Sequence, residues 1–286
     1  MNKKQLFLTL LILFLTVFFI PMGSLAEPPR KHMWEISTET SYIRNKTMGF
    51  SRIPVLKSHA VLYGLGLSYT YNGTLPVLSP KINNCMLKIE GNGSLGRVDN
   101  DYVWDDTKEH ILEFRGLAGY NFSISNKSVV APYTGLGYRY LKMDKAGVWN
   151  ENKFTYLYIP IGIEMDTELG KKWSIGTKLE YDYFLWGEVH VNDKDILGNK
   201  YDQEHGYGLR GFIRFYKKTN KADFSVEPFL KYWNIKESET LSIASVLTGR
   251  TLNNGSAYTM TRTYPKNHST ELGVKFAVRF NKAILV

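Results

Sequence analysis

Two aspartates one residue apart, Asp99 and Asp101, have a spacing that can support catalysis. They follow a predicted strand in the segment Arg97-Val-Asp99-Asn-Asp101. Two carboxylates this close can share a proton or hold a water molecule between them, which is how an aspartate pair activates a nucleophile. The alternative is a solvated acidic turn, which is what an isolated Asp-x-Asp on a loop usually forms. Asp99 and Asp101 are therefore candidate catalytic positions.

A second candidate group lies about ninety residues further along, in a polar segment that contains His190, Asp193 and Asp195 and is followed by His205. Histidine has an unperturbed pKa of about 6.5, so it is the side chain best suited to take a proton from water near neutral pH. Either histidine is thus a candidate base, although a lone loop histidine is more often solvated. Asp193 and Asp195 are the carboxylates of the same segment.

Other catalytic signatures are absent from the sequence. It contains no Gly-rich phosphate loop, no His-Glu-x-x-His, no paired Cys ligands and no Gly-x-Ser-x-Gly elbow. We therefore expect no nucleotide or metal cofactor. The single cysteine, Cys85, excludes an internal disulfide.

The elements that must position these residues are strands, because apolar and polar residues alternate along most of the chain. In Tyr207–Phe215, for example, Arg210 and Arg214 alternate with apolar or small residues. The pattern predicts an all-β fold, a ten-stranded antiparallel transmembrane β-barrel. The predicted strands are about 33–44, 59–72, 85–97, 109–123, 129–142, 154–167, 172–187, 205–217, 223–236 and 269–280.

The connections between these strands alternate in length. Those after the odd-numbered strands are long and polar, at 45–58, 98–108, 143–153, 188–204 and 237–268. Most of the others are turns, and the connection 73–84 is the exception. Outer-membrane barrels have long external loops and short periplasmic turns, so we expect the long loops to be exposed at the cell surface.

Strand alternation assigns an apolar outer face and a charged inner face. The outer face contains Trp34, Ile36 and Tyr42; Tyr63, Leu65, Leu67, Tyr69 and Tyr71; Leu112, Phe114, Tyr120 and Phe122; Leu157, Ile159, Ile161 and Ile163; Trp173, Ile175, Leu179, Tyr181 and Tyr183; and Leu272, Val274, Phe276, Val278 and Phe280. The lumen contains Glu35, Glu39, Lys88, Glu90, Glu113, Arg115, Arg139, Glu164, Lys178, Glu180, Asp182, Arg210, Arg214, Glu227, Lys231, Glu271, Lys275 and Arg279. Acids and bases are equal in number, and a narrow lumen requires them to pair. The alternative is that some of them line a conducting path.

The first 26 residues have the features of a signal peptide. Lys3 and Lys4 precede an apolar run from Leu6 to Ile20, and Ser24-Leu-Ala26 fits a signal-peptidase site. We expect a signal peptide at 1–26 and an outer-membrane barrel at 27–286. The formal net charge of +9 comes from dispersed basic residues mixed with carboxylates, which favours contact with anionic lipid headgroups over nucleic-acid binding.

Taken together, these segments resemble the omptin family, ten-stranded outer-membrane endopeptidases with an Asp-x-Asp couple in the second loop and an Asp-x-His dyad in the fourth. Asp99 and Asp101 match the first couple. Trp186 precedes Asp193 at a spacing similar to that between a tryptophan and the dyad in the family. Asp202-Gln203 resembles an Asp-Gln pair that leads into the next strand in the family. The resemblance implies that two groups of candidate catalytic residues, Asp99 with Asp101 and Asp193 with Asp195, face one another across a cleft.

The sequence departs from the family at one position, because Asp195 occupies the place of the histidine that serves as general base. We therefore expect a non-catalytic surface-binding or envelope protein of the outer membrane. One alternative is an omptin-type endopeptidase that cleaves basic peptide sites, with His190 or His205 as base. A small pore is the other.

The resemblance also implies partners. Omptins bind lipopolysaccharide at the outer rim, and Tyr138, Tyr140 and Lys142 lie at the external end of the fifth predicted strand. The strand Glu271–Phe280 is similar to the C-terminal signal read by the barrel assembly machinery, although six residues follow it. The alternative is that Tyr138 and Tyr140 belong to an interfacial aromatic girdle. The resemblance thus implies lipopolysaccharide as a candidate structural ligand and the assembly machinery as a partner.

Overall fold

The structure is a computed structural model that describes residues 30–47, 56–74, 84–100, 103–144, 151–170, 172–192, 200–219, 222–245 and 258–280. The predicted signal peptide at 1–26 and the tail at 281–286 lie outside these ranges. No helix within the ranges is long and apolar enough to cross a membrane.

The described chain folds into strands, and every strand pairing is antiparallel. The strands are β1 (His32–Thr47), β2 (Leu56–Gly73), β3 (Cys85–Asn100), β4 (Val103–Tyr120), β5 (Phe122–Ser125), β6 (Ser128–Met143), β7 (Glu151–Gly170), β8 (Trp173–Asn192), β9 (Lys200–Gln203), β10 (Gly206–Lys217), β11 (Ala222–Ile235), β12 (Leu241–Ser245), β13 (Tyr258–Arg262) and β14 (Asn267–Phe280).

The main sheet closes on itself. Its order is β1-β2-β3-β4-β6-β7-β8-β10-β11-β14, and β14 pairs with β1, so that Arg279 lies opposite Glu35. The short strands β5 and β9 extend the wall beside β6 and β8, and β12 pairs with β13 in a separate hairpin. Counted over the described residues, the wall has ten positions, which confirms the predicted ten-stranded antiparallel barrel.

The strands extend further at one end of the barrel than the sequence predicted. We call this end, where β3 joins β4, the loop end, and the opposite end the turn end. The prediction of a loop at 98–108 was wrong, because β3 and β4 stay paired up to Asn100 and Val103. Parts of 188–204 and 237–268 are also strand. Backbone pairing continues beyond the apolar belt of the outer wall. The alternation of apolar and polar residues, which sets the predicted strand ends, stops at the edge of this belt.

The predicted faces are confirmed by exposure. Leu65, Ile89 and Leu179 on the outer wall are each at least 66% exposed, whereas the predicted lumenal charges are buried or nearly so. Phe122 is the exception, because it is only 8% exposed and its ring centroid lies 4.7 Å from that of Tyr120. The strand is interrupted at Asn121, whose backbone N–H donates to Asn84, and the two rings pack on each other beside this break.

Two glycines on the inner face make room for tyrosine rings. Gly137 lies directly opposite Tyr158, and Gly162 lies directly opposite Tyr133. A Cβ atom added at Gly137 would lie 2.2 Å from the Tyr158 ring, and one at Gly162 would lie 2.3 Å from the Tyr133 ring. Each ring therefore lies across the backbone of its partner strand, which lets large side chains fill a narrow lumen.

We expect Gly137→Ala to lower the free energy of unfolding by about 1–3 kcal/mol, because the Tyr158 ring is held by buried hydrogen bonds and cannot move aside freely. Urea unfolding in detergent micelles, followed by tryptophan fluorescence, measures the change. Gly116→Ala is the matched control, since a Cβ there meets no atom within 4 Å. Equal losses for the two variants would contradict this account of Gly137.

Candidate functional site

The middle of the lumen is occupied by a buried ion-pair layer centred on Arg210. Its Nη1 and Nη2 donate to the two carboxylate oxygens of Glu113 at 2.8 and 2.6 Å. Its Nε donates to Asp182 at 2.6 Å, and Nη2 also donates to the Tyr158 hydroxyl at 2.9 Å. A two-pronged guanidinium–carboxylate pair of this kind is strong and sets a precise geometry. Arg210 thus ties β10 to β4, β7 and β8 across the barrel interior.

A second arginine extends the layer towards the turn end. Arg115 donates to both oxygens of Glu180 at 2.9 and 2.6 Å, and its Nε lies 3.2 Å from Glu90. The Tyr133 hydroxyl donates to the same Glu180 at 2.6 Å. The Tyr158 hydroxyl donates to Glu113 at 2.7 Å. The two tyrosines that lie over glycines therefore each donate a hydrogen bond into this layer.

The predicted charge pairing of the lumen is confirmed. Each predicted lumenal carboxylate and cation lies within 4.0 Å of an opposite charge, as in Lys275–Glu227 at 2.7 Å, Arg279–Glu35 at 3.0 Å and Lys231–Glu271 at 3.3 Å. Pairing offsets the several kcal/mol that each isolated buried charge would cost. The charges hold the wall together from inside.

An aromatic layer fills the lumen on the loop side of Arg210. The Trp233 ring centroid lies 5.1 Å from that of Tyr158 and 6.1 Å from that of Tyr156, and Tyr156 contacts Phe184 at 5.6 Å. The remaining aromatic members are Phe154, Tyr201 and Tyr264. This layer was not predicted from the sequence, although Phe154, Tyr156 and Tyr158 alternate with outward residues and so share one face.

A cavity of about 300 Å³ lies at the turn end of the lumen. The wall around it is formed by β1, β2, β3, β6, β7, β10, β11 and β14. Lys88, Glu164 and Arg214 line its end nearest the ion-pair layer. From the turn end to the loop end, the described interior is therefore a polar cavity, an ion-pair layer and an aromatic layer.

Asp99 lies near the loop end of β3 and points away from the lumen. Its neighbour Val98 is 3% exposed on the inner face, whereas the side chain of Asp99 is 75% exposed. Its carboxylate lies 3.7 Å from Nε2 of His59, which also faces outward on β2. This aspartate–histidine contact lies on the outer wall. It is therefore not part of a cleft inside the barrel.

The candidate histidines are also turned away from the interior. His190 alternates with the fully buried Val189 on β8, so its side chain is on the outer face, opposite Lys153 and Lys200. His205 is exposed between β9 and β10, and its carbonyl accepts a backbone hydrogen bond from Lys236. Three strands, β4, β6 and β7, separate β3 from β8 around the wall. The structure does not bring Asp99 together with His190.

The remaining predicted catalytic residues, Asp101, Asp193 and Asp195, lie outside the described residues. Within the described ranges, no group of three or more His, Cys, Asp or Glu side chains is arranged to hold a metal ion.

The three predicted lipid-contact residues are on the outer face of β6. Tyr138 is 41% exposed, Tyr140 follows on the same face, and Lys142 lies near the rim at the loop end. The Lys142 ammonium lies 2.9 Å from Asp144 and 3.0 Å from Glu151. The hydrogen bond that Lys142 donates to Asp144 lowers the pKa of the Asp144 carboxyl. Lys142 therefore already has two carboxylate partners.

A closed antiparallel barrel with an apolar outer wall and a charged interior belongs to the class of membrane-spanning β-barrels. The family model for the outer membrane protein beta-barrel domain matches residues 55–202, and the chain belongs to this family. Membership supports a location in the outer membrane.

Several solved structures are similar to this chain at low sequence identity. The outer membrane protease OmpT from Escherichia coli is similar with a TM-score of 0.59 and 10% identity, covering 88% of this chain and 97% of that one. The transport unit of the autotransporter AIDA-I from Escherichia coli has a TM-score of 0.42 and 11% identity, with 94% and 96% covered. An outer membrane channel from Pseudomonas putida has a TM-score of 0.40 and 12% identity, covering 91% of this chain and 99% of that one. No curated protein matches the sequence.

Proposed function

We propose that this protein is a non-catalytic, non-conducting outer-membrane barrel that acts as a scaffold, with its long loops at the cell surface for binding or for envelope integrity. The observation that carries the proposal is the filled lumen. Arg210 and its partners occupy the centre, and the aromatic layer around Trp233 occupies the loop side. A barrel packed in this way stabilises its wall. Over the described residues, its filled centre and loop side leave neither a water-filled path through the barrel nor a substrate cleft that opens at the loop end.

The directions of Asp99 and His190 support the non-catalytic proposal. An aspartate–histidine mechanism needs both side chains within hydrogen-bond reach of a shared water, about 3 Å from each. Both residues face outward, and they lie on strands that are not neighbours. The alternative, an omptin-type endopeptidase, would instead have to use Asp101, Asp193 and Asp195 with a base.

Contact with lipopolysaccharide at the rim of the loop end is the second part of the proposal. Tyr138 and Tyr140 offer aromatic surface, and Lys142 offers a cation that is shared with Asp144 and Glu151. A second cationic surface lies on β1 and β2, where Lys46 is directly opposite Lys57 and Arg44 lies on the same face.

Like charges directly opposite each other destabilise a strand pair, and a bound phosphate group between them would remove the repulsion. Arg44, Lys46 and Lys57 form no ion pair with any described residue. These three cations are the favoured contacts for the lipid phosphates.

The experiment that tests the proposal uses the refolded full chain with lipopolysaccharide. We expect no cleavage of a dibasic peptide at neutral pH, because no described histidine faces a carboxylate across the lumen. Mass spectrometry of the peptide measures cleavage. The same preparation should give no steady conductance in a planar bilayer.

Cleavage that is lost in Asp101→Ala, or in Asp193→Ala, would replace this proposal with the peptidase. Reproducible single-channel steps would replace it with the pore. Glu188→Gln is the control for both measurements, since Glu188 lies on the outer face and pairs with the exposed Lys200.

A further inference from the structure

The cavity lies at the turn end of the lumen, on the turn side of the ion-pair layer. Lys88 and Arg214 lie deep in its lining, and Arg30, Lys127 and Lys218 lie near its mouth. The ion-pair layer separates it from the loop end. Its volume of about 300 Å³ is at the lower end of the range of small-molecule sites.

Nearly all charges that line the cavity have an opposite charge in contact. Arg30 binds Asp223 at 3.0 Å and Lys218 binds Glu168. Deeper in the cavity, three cations contact carboxylates, as Lys88 with Glu90 at 2.6 Å, Arg214 with Glu227 at 2.5 Å and Arg279 with Glu35 at 3.0 Å.

Asp166 is the exception among the lining carboxylates. It lies on the inner face of β7 between Glu164 and Glu168 and borders the cavity. Among the described residues, no ion pair or hydrogen bond involves its carboxylate. The cations that act on it from a distance are Arg214, Arg279 and Lys88, and each of these is already bound to another carboxylate.

The position of the Asp166 carboxylate is set by its neighbour across the strand pair. Gly176 lies directly opposite, and a Cβ there would lie 2.5 Å from Oδ1 of Asp166. The missing side chain leaves the space that the carboxylate occupies. A hollow of about 10 Å³ also borders Asp166, close to the space that one water molecule needs. Asp166 is thus a positioned carboxylate with unused acceptor capacity.

We propose that this cavity binds the ammonium group of a small molecule of about amino-acid size, with Asp166 as the anionic contact. Asp166 is half-buried at the edge of the cavity. An ammonium ion supplies both the charge and the hydrogen-bond donors that its carboxylate lacks. The Tyr216 ring and the Asn72 and Asn121 amides also line the cavity and provide further polar contacts. The site is separate from the loop-end surface of the proposed function, so either proposal can fail alone.

Isothermal titration calorimetry of the refolded full chain in detergent tests this proposal. The probes are glycine and putrescine, which carry ammonium groups, and acetate, which does not. We expect both amines to bind and acetate not to bind. Binding of putrescine alone would show that the ligand is a simple amine. Binding of both amines would show that the site tolerates a carboxylate next to the ammonium group, as in glycine.

Asp166→Asn should weaken amine binding about ten- to hundredfold, since it removes a charge-assisted contact while keeping the shape of the side chain. Glu188→Gln is the matched acid-to-amide control at the loop end and should leave binding unchanged. If Asp166→Asn fails to fold, Val129→Trp tests the same site, because it fills the cavity and keeps every lining charge. The proposal is overturned if the native chain binds neither amine, if acetate binds equally well, or if Val129→Trp binds like the native chain.

Discussion

Arg210→Met is expected to lower the free energy of unfolding by about 3–5 kcal/mol, the cost of removing one partner from a buried ion pair. Arg210 is 4% exposed and binds Glu113, Asp182 and Tyr158 at once. Methionine keeps much of the volume of the side chain, so the loss would come from the charge and the hydrogen bonds. Glu113 and Asp182 would remain buried without their main cation.

Urea unfolding in micelles, followed by far-ultraviolet circular dichroism, measures this loss. Lys200→Gln is the control, because its side chain is 67% exposed and its pair with Glu188 lies at the surface. A surface pair contributes about 0–1 kcal/mol. If Arg210→Met unfolded at the same urea concentration as the native chain, the ion-pair layer would not stabilise the wall.

Ile161→Arg should lower the free energy of unfolding by about 2–4 kcal/mol in a lipid bilayer, the cost of an arginine at the middle of the membrane on a barrel wall. Ile161 lies on the outer face of β7, directly opposite Thr134 and Tyr181. The guanidinium there would be surrounded by lipid tails, with no water to hydrate it.

Reversible unfolding from lipid vesicles measures the depth dependence. Thr155→Arg is the matched control, since Thr155 is on the same strand and face but lies nearer the loop end, opposite Tyr140 and Glu188. Near the interface the cost falls to about 0–1 kcal/mol. An equal loss at both positions would mean that the apolar belt does not coincide with the bilayer at Ile161.

The ten strands and their faces could be predicted from the sequence because a β-strand alternates its side chains with a period of two. Ile161 and Ile163 point to lipid for the same reason that Gly162 points inward. The pairing of the lumenal charges was also predictable, since a narrow interior cannot hydrate them. The strand ends at the loop end were not predictable, because backbone pairing between Asn100 and Val103 does not depend on hydropathy.

The directions of the candidate catalytic residues required the tertiary structure. Asp99 and His190 suggested chemistry by type and spacing, but register and closure determine which face of the wall each occupies. A shift of one residue in the strand would have turned Asp99 into the lumen. The period of two gives the direction of Asp99 only once β3 is known to continue to Asn100, and the direction of His190 depends on the register shift between β7 and β8.

The alternating pattern alone thus determined the class of fold and the composition of its two faces, because both follow from local geometry repeated along the chain. Closure of the barrel decided the specific contacts, since it brings together residues distant in sequence. Arg210 meets Glu113 across 97 residues, and Tyr158 reaches the space left by Gly137 on the neighbouring strand. Only the register around a closed wall decides which charges, rings and glycines meet, and therefore that the lumen is filled.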